Sequence, residues 1–481
     1  MRYITRSVGS GRPARPPSEE EERAMSTPFA TLDVERNLKR TVTLPQALGV
    51  SFQSIVGGGV IALTGIAVGL TGGGTPLAFL VAAIAVILYS LPISMVGSAM
   101  PLVGARYSYA ARLINPATGF ATMWLSILVT IQLSLLALAA AASVQALVPG
   151  LPVRPLAMVL MTVFFLANLF GITFSNRVGI VLSFVMVAAF ALYAVIGVPQ
   201  VDWSAFQEIA PNGIDNFVLA IALLTFAVTG GSFVAELGRE MKRPGRDIPL
   251  SVIGGTALAG VLYVIMALPA AGAIPASQAA GEPLTAAAEH ILPSGPFAFF
   301  VLGGAVVAIV GALNALLATA TKPILAAIGD GWLPRGLGAV NERFGTPHWL
   351  LALLYVIGAV PVLVGLSLED IAKSASIAAG PVLAIIIVAS YRLRSRYPEL
   401  HAAAPFTLNR GLHLTIAVLG TAVLAAQTYL LITKVGGAVA VALAVWVLLG
   451  VLLWWRRRDH VAAVLRVRER GEPMEPATPR S

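Results

Sequence analysis

Apolar stretches, each long enough to cross the roughly 30 Å hydrocarbon core of a bilayer, follow one another along most of this chain. The 481 residues are 57% apolar and 11% charged, with a mean hydropathy of +0.84, which is too apolar for a soluble domain. Backbone groups in lipid must find partners within their own segment, so we expect helices. The sequence predicts an all-α integral membrane protein with twelve transmembrane helices. The spans lie at about 44–70, 76–100, 118–147, 155–174, 178–198, 216–238, 249–274, 297–322, 348–366, 371–391, 411–433 and 437–455.

Lysine and arginine are unevenly distributed between alternate connections of these spans. Twenty of them lie on the side that holds both chain ends, and three, Arg154, Lys373 and Lys434, lie on the other. Because basic residues favour cytoplasmic loops, the bias predicts a multi-pass plasma-membrane protein with both termini cytoplasmic. It also explains the net charge of +9 by the lipid bilayer, with no nucleic acid as a partner. We expect cytoplasmic tails at 1–43 and 457–481 around a twelve-helix domain at 44–456.

Two clusters of small residues interrupt the spans at corresponding places. Gly57, Gly58 and Gly59 lie in the middle of span one, and Thr229 to Ser232, with two glycines, lie in span six. Each glycine costs a helix about 1 kcal/mol relative to alanine, so both clusters predict helix breaks. The breaks are five spans apart, so the two spans that contain them cross the membrane in opposite directions. This is typical of an inverted repeat with a binding site between two discontinuous helices. Close packing of helices at glycine is the alternative explanation.

The helix ends at these breaks offer two opposite partial charges. The outer half of span one begins near Gly59, where free N–H groups suit a carboxylate. The inner half ends near Ile55, and span six adds carbonyl ends from Phe226 to Thr229, which suit an ammonium group. A zwitterionic α-amino acid fits both poles, which predicts a small-molecule site within the membrane.

Four stretches, the first of which begins with the glycine triplet, resemble motifs of one family, the amino acid–polyamine–organocation transporters. They are Gly57 to Gly65, Pro101 to Tyr109, Glu240 to Pro249, and Asp330 to Pro334 followed by Gly345 to Pro347. The resemblance covers roughly residues 40 to 435. It implies the sodium-symporter-like fold of five-plus-five inverted repeats, with repeat one at about 44–198, repeat two at about 216–391, discontinuous helices one and six, and two extra helices at about 411–455. It also implies an amino acid permease, a secondary transporter working by alternating access as a symporter or an antiporter.

The resemblance also implies roles for particular residues. Backbone at the first break would hold the carboxylate and amino groups, and Phe226 would close over the substrate. Ser126, Thr130 and Ser134 share one helix face that would turn toward the site, although bonds to neighbouring helices or to the preceding turn are the alternative. The substrate-binding candidates are Ile55, Gly57, Gly58, Gly59, Ser126, Thr130, Phe226, Val228, Thr229 and Gly230.

Candidates for gating and coupling lie elsewhere. Glu236 is a gating candidate whose alternative is a salt bridge to Arg239 or Lys242. A sodium ion would need oxygen ligands near Ile55 and Thr319, whereas Met186 stands where some proton-coupled members have a lysine. We expect no cofactor and no bound metal beyond this candidate sodium site, and the coupling ion stays open between H⁺, Na⁺ and exchange without an ion. The gating and coupling candidates are Tyr107, Glu236, Asn314, Thr319 and Thr321.

The substrate class is indicated by one position where this sequence departs from the family pattern. Ser232 stands where members that handle cationic substrates can have a glutamate, which favours a neutral or small zwitterionic amino acid because an unpaired charge in the membrane is costly. A cationic amino acid, polyamine or other amine is the alternative. A membrane enzyme is disfavoured because all five histidines lie in loops or at span ends, and a channel because charge rings and filter loops are missing. The protein is expected to be a monomer or a homodimer.

Overall fold

The computed structural model describes residues 40–171, 176–341 and 343–469, and every regular element in these ranges is helical. Nine of the described segments are long and apolar enough to cross a membrane, and two shorter apolar helices accompany them. The nine are Leu44–Ala99, Pro116–Leu147, Val181–Gln200, Ile214–Gly238, Pro244–Gly272, Ser294–Gly329, Leu368–Arg396, Arg410–Thr433 and Gly437–Arg466, and the shorter two are Val153–Leu169 and His348–Val364. The protein is therefore a multi-pass helical membrane protein, while the count of twelve spans and the inverted repeat stay predictions.

Sixteen principal α-helices are numbered here in chain order. They are α1 (Leu44–Ile55), α2 (Gly58–Thr71), α3 (Thr75–Ala99), α4 (Ala105–Leu113), α5 (Pro116–Val129), α6 (Gln132–Leu147), α7 (Val153–Leu169), α8 (Asn176–Gly197), α9 (Ile214–Val228), α10 (Pro244–Gly272), α11 (Leu284–Ile291), α12 (Val307–Gly329), α13 (His348–Val364), α14 (Leu368–Arg396), α15 (Arg410–Thr433) and α16 (Gly437–Glu469). Short α-helices (Ala276–Ala279, Ser294–Phe299, Pro398–Ala403), 3-10 helices (Gly72–Gly74, Val198–Gln200, Trp203–Phe206, Thr229–Glu240, Arg335–Gly338) and a π-helix (Phe300–Val306) complete the described helical elements.

Both predicted helix breaks are present. The first separates α1 from α2 at Val56 and Gly57, where Gly57 adopts φ −143° and ψ −124°, far from helical values. At the second, α9 ends at Val228 and the chain continues as a 3-10 helix from Thr229 to Glu240. A 3-10 run of this length is unusual, since its hydrogen-bond geometry is poorer than that of an α-helix.

The two interrupted helices pack against each other in the interior. Helix α1 contacts the 3-10 helix, and α2 contacts α9, so that the two breaks meet. Ile55, Val60 and Val228 are all fully or almost fully buried at this crossing. Helix α10 packs along α3, and α12 lies against α1 on another side, so several helices surround the crossing.

Three elements differ from the predicted spans. Span three is divided into α5 and α6 by a tight turn at Thr130 and Ile131, and span eight contains the π-helix between the short α-helix Ser294–Phe299 and α12. The last helix does not end near residue 456 but continues to Glu469, beyond the predicted start of the C-terminal tail. Residues 1–39 and 470–481 of the predicted tails, and residues 172–174 of span four, lie outside the described residues.

Candidate functional site

A cavity lies where the two helix breaks meet. It holds about 700 Å³ of space between atoms, including the part open to solvent. Six predicted residues line it, together with residues from α4, α5, α6, α12 and α14. The lining residues are Ser54, Ile55, Gly58, Gly59, Arg106, Val129, Gln132, Leu135, Leu136, Phe226, Ala227, Thr229, Gly230, Ser232, Ala312, Ala379, Val382 and Leu383.

The glycine triplet is a point of close approach between helices. A Cβ on Gly57 would overlap Ala312 of α12, and one on Gly58 would overlap the end of the Leu136 side chain of α6. A Cβ on Gly59 would lie 2.9 Å from the Cβ of Ala227 on α9. Close packing and a helix break therefore occur together. Gly58 and Gly59 begin α2, so their N–H groups have no partners within that helix, and both residues line the cavity while Gly57 does not.

The carbonyl of Ile55 already has two donors. It accepts the N–H of Gly57 at 2.8 Å and the hydroxyl of Tyr263, a fully buried residue of α10. The sequence analysis missed Tyr263 because nothing local connects it with α1. A substrate ammonium at this carbonyl would have to share it with the tyrosine or displace it.

Thr229 organises the second break through hydrogen bonds. Its hydroxyl donates to the carbonyl of Thr225 at 2.7 Å, so the hydroxyl of Tyr89, also 2.7 Å away, must donate to Thr229. The backbone N–H of Thr229 caps α9 at the carbonyl of Phe226. Phe226 and Gly230 line the cavity as predicted, whereas Val228 is buried in packing and is not part of the lining.

The predicted hydroxyl face of span three does not line the cavity. Thr130 donates to the carbonyl of Ile127 at 2.6 Å, and Ser134 donates to the carbonyl of Gly358 on α13. The buried hydroxyl of Ser126 has no hydrogen-bond partner among the described residues. The turn at Thr130 replaces α-helical bonds with shorter i to i−3 bonds, as in Leu133 N–H to Thr130 O at 2.9 Å, so a constant 3.6-residue period fails here.

Residues on either side of that turn line the cavity instead. Val129 comes from α5, and Gln132, Leu135 and Leu136 come from α6. Ser54, whose hydroxyl is buried without a partner among the described residues, lines it from α1. Sequence reasoning missed both polar groups, although a glutamine inside an apolar span is itself a signal of function.

Ion pairs link several helices at the end of the bundle that includes α4. Glu236 pairs with Arg106 at 2.8 Å; Lys242 is exposed, and the side chain of Arg239 lies outside what the structure describes. Glu236 thus forms a salt bridge to α4, while its predicted pairing with Arg239 lies outside the described side chains. Tyr107 donates to Asp330 at 2.6 Å, Arg112 pairs with Asp330 at 3.0 Å, and Lys322 pairs with Glu240.

Two of the coupling candidates on α12, Thr319 and Thr321, lie along the helix beyond the point where it meets the first break. Helix α12 meets Gly57 through Ala308 and Ala312. Thr319 follows Ala312 by seven residues, about 10 Å along a helix, and its hydroxyl donates to the carbonyl of Ala315 at 2.8 Å. Asn314 is half-buried and Thr321 is buried. These positions give no direct support to a sodium site shared by Ile55 and Thr319, which stays a prediction.

A bundle of apolar helices with a cavity between two interrupted helices defines the class of membrane transporters that bind a small molecule within the bilayer. The comparison with known families agrees with this class. The amino acid permease family matches residues 42–455, and the chain belongs to that family. It is therefore an integral membrane transporter of the amino acid–polyamine–organocation type rather than an enzyme.

Relatives in the family have different substrates in their names. The chain is 25% identical to the methylthioribose transporter of Bacillus subtilis, over 78% of this chain and 86% of the relative. It is 24% identical to the branched-chain amino acid permease BcaP of the same organism, over 89% and 95%. It is 28% identical to the low-affinity putrescine importer PlaP of Escherichia coli, over 42% and 46%. The family thus fixes transport of a small molecule and leaves the substrate class open.

Proposed function

We propose that this protein is a secondary active transporter that moves a neutral or small zwitterionic amino acid across the plasma membrane by alternating access. The observation on which this rests is the cavity at the crossing of the two interrupted helices. There, Gly58 and Gly59, the first residues of α2, line the same cavity as Ile55 at the end of α1 and Phe226 near the end of α9. In a water-poor site these opposite poles favour a zwitterion over either single charge.

The helix pattern supports an arrangement of five-plus-five inverted repeats with two extra helices. The segment Leu44–Ala99 contains two predicted spans, the first of which holds the first break, and the two shorter apolar helices would supply further crossings. In this arrangement the first break belongs to repeat one and the second break to repeat two. The side with more Lys and Arg would be cytoplasmic.

The proposed binding mode assigns each substrate group to part of the site. The α-carboxylate would accept the N–H groups of Gly58 and Gly59. The α-ammonium would donate to carbonyls at the ends of α1 and α9, and at Ile55 it would share the carbonyl with the Tyr263 hydroxyl or displace it. The side chain would lie toward Phe226 and Leu136, with Gln132 as a polar partner.

Amines such as putrescine are the alternative substrate class, and one relative has that name. The cavity lining includes a guanidinium, that of Arg106, and among the described lining residues no carboxylate. Because Arg106 is paired with Glu236, a substrate with net positive charge would find no countercharge among the described lining residues, and burying its charge without one is costly. The lining thus supports a zwitterion.

Uptake into proteoliposomes tests the site. Replacing Gly58 by leucine should fill the carboxylate site and abolish uptake of the transported amino acid. The matched control is Gly49→Leu in the same interrupted helix, because a Cβ at Gly49 meets nothing within 4 Å. Uptake by Gly58→Leu at the control rate, in protein that elutes as the control does in detergent, would contradict the proposal.

The same assay addresses coupling. Uptake is compared with an imposed proton gradient, with a sodium gradient, and with neither but with internal substrate. Stimulation by one gradient identifies the ion, and stimulation by internal substrate alone identifies exchange.

A further inference from the structure

Arg106 and Glu236 form an ion pair directly beside the proposed substrate cavity. The Nε of Arg106 lies 2.8 Å from Oε1 of Glu236, and the backbone N–H of Arg106 donates to the same oxygen at 3.2 Å. The side chains are 13% and 1% exposed, so both charges are largely removed from water. The pair joins the first turn of α4 to the 3-10 helix, two elements that the sequence gives no reason to connect.

Arg106 lies between the substrate cavity and a second, smaller cavity that contains Glu236. The two cavities share Arg106, Ser232 and Leu383 in their linings, but Glu236 lines only the smaller one. The 3-10 geometry helps to separate them, since four residues at about 2 Å per residue put Glu236 about 8 Å beyond Ser232. The arginine side chain therefore separates a buried carboxylate from the space where substrate would bind.

The carboxylate has unused acceptor capacity. Oε2 of Glu236 is buried and has no hydrogen-bond partner among the described residues. An ionised carboxylate can accept about four hydrogen bonds, and here the described contacts concern Oε1. Without the guanidinium, an unpaired acid would face the merged cavity, and such a group recruits a cation.

We propose that Arg106 is the residue that determines charge selectivity, because it neutralises Glu236 from within the protein and occupies the place where the cationic end of a substrate would otherwise bind. The inference rests on the proposed function and deepens it. Excluding cationic substrates is then a property of a pair, not merely of the missing acid at Ser232. Removing Arg106 leaves the negative charge of Glu236 at the site, and removing Glu236 leaves the positive charge of Arg106.

Two single substitutions should shift selectivity in opposite directions. Arg106→Gln leaves Glu236 and should raise the affinity for arginine and putrescine relative to a neutral amino acid by about tenfold or more. Glu236→Gln leaves Arg106 and should raise the relative affinity for glutamate to a similar degree. The double variant Arg106→Gln/Glu236→Gln is uncharged and should again prefer neutral substrates, and Arg106→Lys should still exclude arginine.

The measurement is ligand-induced thermal stabilisation of the purified protein, with competition against uptake of a neutral amino acid as a second readout. If Arg106→Gln does not fold, comparing Glu236→Gln with the double variant decides the question, since only the former keeps the positive charge of Arg106 without the Glu236 carboxylate and should favour glutamate. Single variants that bind a neutral amino acid without opposite shifts would overturn the inference and make the pair purely structural. If the wild-type protein binds no amino acid, the proposed function fails instead.

Discussion

The hydroxyl of Tyr263 stabilises the first helix break by donating a hydrogen bond to the end of α1. Its bond to the carbonyl of Ile55 satisfies one of the acceptors that a helix end leaves without an internal partner. Tyr263 is fully buried, so its hydroxyl is removed from bulk solvent. The geometry of the break thus depends on a side chain from α10 as well as on the glycines.

Replacing Tyr263 by phenylalanine should therefore destabilise the protein. Removing a donor from a buried acceptor costs about 1–3 kcal/mol, although the N–H of Gly57 still reaches this carbonyl. Thermal unfolding in detergent measures the effect. The matched control is Tyr193→Phe, since the buried hydroxyl of Tyr193 has no partner among the described residues and its loss should change stability little. Equal effects of the two substitutions would refute this role for Tyr263.

At the scale of elements, the crossing of the two interrupted helices depends on glycine. A Cβ on Gly230 would overlap the backbone carbonyl oxygen of Ser54, which cannot move without moving α1. At Gly58 the overlapping atom is the end of the flexible Leu136 side chain, which can change rotamer. The two glycines thus differ in how much strain an added methyl group produces.

The difference predicts that Gly230→Ala impairs transport more than Gly58→Ala does. The expected uptake is near background for Gly230→Ala and a reduced but measurable rate for Gly58→Ala, because overpacking against a fixed backbone costs about 1–3 kcal/mol or more. Initial rates of uptake at matched protein amounts provide the comparison. The reverse order would show that the crossing of α1 and the 3-10 helix is less tight than the structure indicates.

These elements also show how far the sequence predicts the site. Both breaks were predictable because glycine clusters act locally, and the apolar spans because lipid imposes helices. The turn at Thr130 has no glycine or proline to indicate it, so the face of α6 that lines the cavity was not predictable, although Gln132 inside an apolar span is itself a signal of function. The pairing of Arg106 with Glu236 spans 130 positions, and no local pattern determines such a contact.

At the scale of the whole molecule, one end of the bundle is closed by contacts between distant elements. Arg106 with Glu236, Arg112 with Asp330 and Lys322 with Glu240 join α4, the 3-10 helix, α12 and the chain that follows it. Val42 adds a β-bridge to Met241 beside the same 3-10 helix. Under the proposed orientation this end is cytoplasmic, and these contacts would restrict access to the cavity from that side.

The absence of cysteine from the sequence makes a direct test of the site possible. Ser232 lines both cavities, and Ser232→Cys changes one atom of the side chain. A maleimide should label this cysteine, and a transported amino acid at ten times its Kd should slow labelling about tenfold, because about a tenth of the sites remain free. The control is Ser395→Cys on an exposed surface, where substrate should change nothing.

If an α-amino acid binds between the two interrupted helices, the transported amino acid should protect Ser232→Cys from labelling. This protection should disappear when Gly58→Leu is added to the same protein. Labelling of Ser232→Cys that stays unchanged at a saturating concentration of a transported amino acid would contradict it.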